Sequence, residues 1–224
     1  KSDFLFKDDH GDVFFLAWTT TAWTLPSNTA LAVGKKIKYN LVQTYNAYTG
    51  LPITVVVAKD LLGNFFPEKN AELALEDYEA GQKAIPFRVI AEFSGAELAG
   101  INYEQLLPYA QPEDGDAFRV ITGDFVTTED GTGIVHIAPS FGADDFKVGR
   151  ENGIGSLTMV DKQGKFVDAM GEFAGRYVKN EYVPGYDPET ADDPVDIDII
   201  VNMLDFVLHL FSEVFIQCNE RFIH

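Results

Sequence analysis

The sequence predicts an α+β fold: a barrel-like, strongly curved, mostly antiparallel β-sheet core with peripheral helices. Three observations predict it. Apolar runs of strand length, rich in Val, Ile, Phe, Trp and Thr, recur between Gly, Pro, Asn and Asp. Helical periodicity is confined to a few short stretches and one amphipathic segment near the C-terminus. Of the 224 residues 46% are hydrophobic and 18 are phenylalanine, enough to bury a substantial core in one body spanning 1–224.

The elements follow in chain order. Residues 12–18 read as a strand that runs into Trp18-Thr19-Thr20-Thr21-Ala22-Trp23-Thr24-Leu25-Pro26-Ser27-Asn28. Residues 30–33 and 38–45 are strands around Gly34, and 51–58 is a β-branched run followed by a short helix over 59–66. The acidic segment 68–81 has modest helical character and is placed outside the core. Residues 87–93 form another strand, and Gly95 and Gly100 frame a tight crossing. Residues 118–127 are a strand whose turn at Glu129-Asp130-Gly131 predicts a hairpin with the run that begins at Ile134. A helix begins near Phe146 and stops at Gly153, and 159–161 with 164–166 make a short hairpin. Asn202, Asp205, His209 and Ser212 recur every three or four residues against Met203, Leu204, Val207, Leu208 and Phe211, which predicts an amphipathic helix over 202–216.

Composition narrows the function. A net charge of −18 opposes autonomous binding to a phosphate backbone, although one end of a nucleic acid held by another domain could still reach such a chain. Acids cluster at 68–79, 113–116 and 187–198 without the oxygen-ligand spacing of a calcium loop. The single cysteine, Cys218, cannot form an internal disulfide, which suits a cytoplasmic location. No apolar run approaches membrane-spanning length. A start at lysine and an abrupt stop at His224 suggest a piece excised from a larger polypeptide.

The chemistry concentrates in two stretches. In the first, Thr19, Thr20 and Thr21 lie between Trp18 and Trp23; in extended backbone their hydroxyls alternate faces, so at least one could orient a small polar ligand or a water. Threonine is also simply a good strand residue. The second is Gly131-Thr132-Gly133-Ile134-Val135-His136-Ile137-Ala138-Pro139-Ser140-Phe141-Gly142-Ala143-Asp144-Asp145. Here His136 interrupts a strand, as either a satisfied core histidine or a pocket residue, and Asp144 and Asp145 open a helix where the dipole favours carboxylates. There is no phosphate-binding glycine loop, no zinc cluster and no His-Glu-x-x-His. A Ser140, His136 and Asp145 triad can be named, but Ser140 lacks a nucleophile elbow and Cys218 lacks a partner. Threonines, tryptophans, one histidine and one aspartate form a kit for recognising and positioning.

These two motifs resemble the editing domain inserted in isoleucyl-tRNA synthetases, which are class I aminoacyl-tRNA synthetases, and the resemblance covers nearly the whole chain. It implies the editing-domain fold and hydrolysis of tRNA(Ile) mischarged with valine, with valyl-adenylate as a further substrate. By resemblance, Asp145 holds the substrate ammonium, and Thr19, Thr20 and Thr21 line the ester and its water. Trp23 and Asn28 shape the pocket around the amino acid and terminal adenosine, and His136 crowds it against isoleucine. Such a second sieve is needed because one methylene is worth only about 1–3 kcal/mol in binding. Family members often carry proline where this chain has Ala22.

The resemblance further implies no cofactor in this segment, with ATP, Mg2+ and zinc confined to other domains of the whole enzyme. It implies two partners, the acceptor end of tRNA(Ile) and the rest of the synthetase, with no membrane partner and a monomeric isolated domain. Water, assisted by a ribose hydroxyl, would attack the already activated ester without a covalent intermediate. A catalytically silent insert that keeps the fold is the alternative.

Overall fold

The computed structural model describes residues 3–6 and 10–187 and the backbone of 213–217. Eight strands form one open sheet: β1 (Asp12–Trp18), β2 (Ala30–Val33), β3 (Lys38–Tyr45), β4 (Pro52–Ala58), β5 (Arg88–Ser94), β6 (Arg119–Thr122), β7 (Ile134–Ile137) and β8 (Glu213–Gln217). The order is β5-β3-β4-β1-β7-β2-β6, with β8 paired to β1 off this path. The sheet is mixed and curved, a half-barrel whose edges do not close. Helices sit around it: α1 (Leu62–Phe65), α2 (Gly95–Leu98) and α3 (Ala143–Glu151), with short 3-10 turns.

Alternation along the strands explains why both faces are covered. Phe15, Ala17, Leu31, Val33, Leu41, Val56 and Ile134 point into one large core. Their neighbours Leu16, Val42, Val55 and Val57 join a second cluster behind β1, β3 and β4. Ala30, Ala32 and Ile137 join a third with Val148 of α3. Strands buried on both faces read as continuous apolar runs, which is how β2 and β4 read in the sequence. Asn46 turns the chain between β3 and β4, its Oδ1 accepting from the amides of Tyr48 and Thr49 at 2.9 and 3.0 Å. Ser94 and Glu97 form a capping box that starts α2.

Two expectations are corrected. The hairpin between the strand of 118–127 and β7 does not form. Its strand shortens to β6, which pairs β2 in parallel, and β2 lies between β6 and β7. The sheet is mixed: the β1–β4 and β1–β7 ladders are parallel as well, and the other four are antiparallel. Turn chemistry reveals only local pairings, and these three ladders join segments far apart in sequence. Of the helix expected over 202–216, residues 202–212 lie outside the described residues. Residues 213–217 are β8, antiparallel to β1 from Phe14↔Gln217 to Trp18↔Glu213. The local run Val214-Phe215-Ile216 suits a strand as well as an apolar helix face, and the partner it finds is β1.

After β1 the chain turns at Thr19–Thr21 into a 3-10 helix, Ala22–Ser27, which holds Pro26. Ala22 is its first residue, where a proline loses no intrahelical hydrogen bond. Thr21 before it sits at φ −129° and ψ 67°, outside the helical region that a following proline disfavours. Ala22→Pro is therefore expected to stabilise the chain by about 0.4–1 kcal/mol through the unfolded state, read as a raised urea midpoint at unchanged slope.

Candidate active site

β1 and β7 deliver the two motifs to the same end of the sheet, where Trp18 pairs Val135. The turn into β7 uses two glycines in the left-handed region, Gly131 at φ 70° and Gly133 at φ 75°. A Cβ on Gly131 would come within 2.8 Å of the Trp18 ring, so only glycine lets the turn lie under the indole. The Gly133 carbonyl accepts a 2.7 Å bond from the buried Tyr39 hydroxyl, which accepts from the Gly34 amide at 2.9 Å. Burial pushes the Tyr39 hydroxyl up to about 12, so it keeps its proton.

The first motif does not stay extended. β1 ends at Trp18, and Thr19 Oγ1 accepts from the Thr21 amide at 3.1 Å, closing a turn that leaves Thr20 and Thr21 exposed. Thr24, inside the 3-10 helix, donates its hydroxyl proton to the Thr21 carbonyl at 2.7 Å, while the Thr21 and Thr24 hydroxyls lie 3.3 Å apart. Trp23 is half-buried and packs edge-on against Phe141 at 5.1 Å between ring centroids. Its Nε1 is buried without a partner among the described residues. Together with Val160, Val178 and Tyr182, Trp23 and Phe141 line a cleft of about 340 Å³.

His136 lies on the face of β7 that points into the main core and is 5% exposed. Its Nε2 meets Thr24 Oγ1 at 2.8 Å and its Nδ1 meets Asn28 Nδ2 at 3.0 Å. Burial holds the imidazole well below its ordinary value, at about 4, so it is neutral near pH 7. Asn28 is buried too; it donates to the Ala30 carbonyl at 2.9 Å and accepts from the Tyr103 hydroxyl at 2.6 Å. His136 is thus buried in the core with both ring nitrogens hydrogen-bonded.

Asp145 stands in the first turn of α3, and its Oδ2 accepts from the Ala138 amide at 2.9 Å, tying that turn to the end of β7. Oδ1 accepts no hydrogen bond from the described residues. Desolvation raises the carboxyl above its ordinary value; the Ala138 bond works the other way and the neighbouring Asp144 adds to the rise. Such a group gains from a cation brought against it.

The structure thus brings the 3-10 helix that follows the threonine turn against β7 and the loop after it, Thr24 bonding His136 and Trp23 packing on Phe141. It does not assemble a triad: Ser140 Oγ pairs with Thr158 at 2.8 Å, His136 with Thr24 and Asn28, and Asp145 with Ala138. Among the described residues no group of His, Cys, Asp and Glu could hold a metal ion. His209 and Cys218 lie outside the described residues. Sequence reasoning missed Thr24 and Tyr103. Thr24 stood inside the first motif, whereas Tyr103 carried no signal.

No family model matches the chain. Among curated proteins, isoleucine–tRNA ligase of Bacteroides fragilis is 52% identical over 220 residues, which is 87% of this chain and 19% of that protein. The Cytophaga hutchinsonii ligase is 54% identical over 188 residues, covering 80% of this chain and 17% of its own length. The Thermoplasma volcanium ligase is 40% identical over 168 residues, 75% and 14%. The chain spans about a fifth of the length of the first of these relatives. A solved editing domain of P. falciparum cytosolic leucyl-tRNA synthetase aligns over 93% of this chain and 65% of that one, with 15% identity and a TM-score of 0.45, too loose to argue from. Identity above half over most of its length places this chain in the isoleucyl-tRNA synthetase family.

Proposed function

We propose that this chain is a proofreading hydrolase that releases valine from mischarged tRNA(Ile), and acts on valyl-adenylate in the same site. The observation that carries the reading is the packing of the 3-10 helix after the threonine turn on β7 and on the loop that leads to Asp145, whose Oδ1 is available to an ammonium group. Thr19, Thr20 and Thr21 position the ester and a water beside it, and the ester needs no protein nucleophile. His136, packed and neutral, serves as a wall that cannot yield to a larger side chain, since close-packed interiors resist added methylenes. The tRNA body is held by other parts of the synthetase, which reconciles a net charge of −18 with an RNA substrate.

The test is deacylation of valyl-tRNA(Ile) and isoleucyl-tRNA(Ile) by this chain at high concentration. Valine is expected to be released and isoleucine retained; equal hydrolysis of both, or hydrolysis of neither, sinks the reading. A silent insert would bind a non-hydrolysable valyl-adenosine analogue without turnover of the ester. His136→Ala is expected to admit isoleucine and bring its release to within about 10–200-fold of valine, since a methylene is worth roughly 1–3 kcal/mol once exclusion is lost.

A further inference from the structure

One polar path runs from the interior of the fold to the threonine turn, and its protons can be placed one by one. Thr24 has a single hydroxyl proton, and the Thr21 carbonyl takes it at 2.7 Å. Thr24 Oγ1 is therefore an acceptor towards His136 Nε2 at 2.8 Å, which makes Nε2 the protonated ring nitrogen. Nδ1 is then bare and accepts from Asn28 Nδ2 at 3.0 Å. The second proton on Asn28 Nδ2 goes to the Ala30 carbonyl at 2.9 Å, and Asn28 Oδ1 accepts the Tyr103 hydroxyl at 2.6 Å.

The opposite arrangement is also self-consistent in part, which gives the path its interest. Turning the Asn28 amide over would put Oδ1 against His136 and move the ring proton to Nδ1. Nε2 would then need a proton from Thr24, and Thr24 would release the Thr21 carbonyl. Two groups oppose this turn: the Ala30 carbonyl, which would face an oxygen, and the Tyr103 hydroxyl, which could accept from the amide NH2 but would lose the acceptor of its own buried proton. Tyr103 is well held for the task. It is 2% exposed, its amide donates to the Phe118 carbonyl at 2.8 Å, and its ring meets the Phe118 ring edge-on at 6.1 Å. Phe118 is a non-glycine residue in the left-handed region at φ 55°, and its own amide donates to Thr29, next to Asn28, at 2.7 Å.

We propose that Tyr103 is a positioning residue for this site: its hydroxyl fixes the Asn28 amide, the amide fixes the tautomer of His136, and His136 fixes the threonine turn through Thr24. The inference rests on the hydrolytic reading above. Tyr103 is buried and lies outside both motifs. The path ends on Thr21, whose carbonyl and hydroxyl are both bonded to Thr24.

The experiment uses the chain labelled with 15N-histidine. The four histidines are told apart by the loss of one signal in His136→Gln. Wild-type His136 is expected to show only the Nε2–H tautomer at pH 7. Tyr103→Phe keeps the ring and is expected to add an Nδ1–H population, with valyl-tRNA turnover lowered about tenfold and KM changed far less. Thr24→Val is expected to lower turnover likewise, while Thr24→Ser, which keeps the hydroxyl, restores it. A Tyr103→Phe chain that retains the single tautomer overturns the proposal, and so does one that changes tautomer at undiminished turnover. A wild-type chain that releases no valine overturns the hydrolytic reading instead, and the nitrogen spectra still decide whether Tyr103 sets the tautomer.

Discussion

Replacing Asp145 by alanine is expected to lower kcat/KM for valyl-tRNA(Ile) by at least about 100-fold, because an ester that loses its ammonium anchor is no longer held in line with its water. The same substitution removes the acceptor of the Ala138 amide, a loss of about 1 kcal/mol that leaves the chain folded. Asp145→Asn separates the two effects. Its amide oxygen can still accept from Ala138, but its charge is gone, so turnover should remain low while stability returns. An Asn variant with wild-type turnover would show that the carboxylate's charge is not used.

The raised pKa of Asp145 gives this prediction a pH dependence. The ammonium group binds the ionised carboxyl and lowers its pKa in the complex, so binding releases a proton. Affinity for a cationic valyl analogue is therefore full above the raised pKa of the free site. It declines as pH falls below that value, and the decline starts at a higher pH than for an ordinary aspartate. Titration calorimetry across that range, with Asp145→Asn as the reference, reads the effect directly.

The second large effect concerns stability in acid. His136 has an ordinary pKa of 6.5 and a folded value of about 4, so the unfolded chain binds the extra proton between these limits. The contribution of the neutral, hydrogen-bonded imidazole is complete above pH 6.5 and is lost as pH falls towards 4, about 3 kcal/mol in all. Carboxylates titrate in the same window, so the comparison must be made against His136→Gln, in which they are unchanged. Urea unfolding at pH 7.5 and 4.5 should show a drop in wild type that exceeds the drop in the variant by about 2–3 kcal/mol. Equal drops would mean that the imidazole is not buried neutral.

Much of the sheet was legible because it follows from side-chain chemistry along short runs. β1 and β4 are rich in aromatic and β-branched residues respectively, and β2 and β3 are closed by Gly34 and Asn46. What local chemistry hides is pairing between segments far apart. Nothing in 118–127 marks Ala30 as the partner of Arg119. The threonines fell between these cases. Their types were informative, but whether the chain stays extended after Trp18 depends on the 3-10 helix that Thr24 holds. His136 shows the same limit more sharply. Its partners lie 112 and 108 positions away, and Tyr103 acts on Asn28 from 75 positions away. A sequence can show that a histidine in a strand needs hydrogen bonds, but not where they come from.

The pairing of β8 with β1 has a consequence for how such a body joins a longer polypeptide. Phe14 and Gln217 face each other across an antiparallel ladder, so incoming and outgoing backbone run side by side on the order of 5 Å apart. A host loop could be cut open and receive this body with little spreading of its two ends, because the guest closes the gap itself. The closure entropy charged to the host would then hardly depend on how many residues lie between them. The host's tether would also end on the strand that feeds the threonine turn, with the whole β1–β8 ladder between a pull on Gln217 and Trp18.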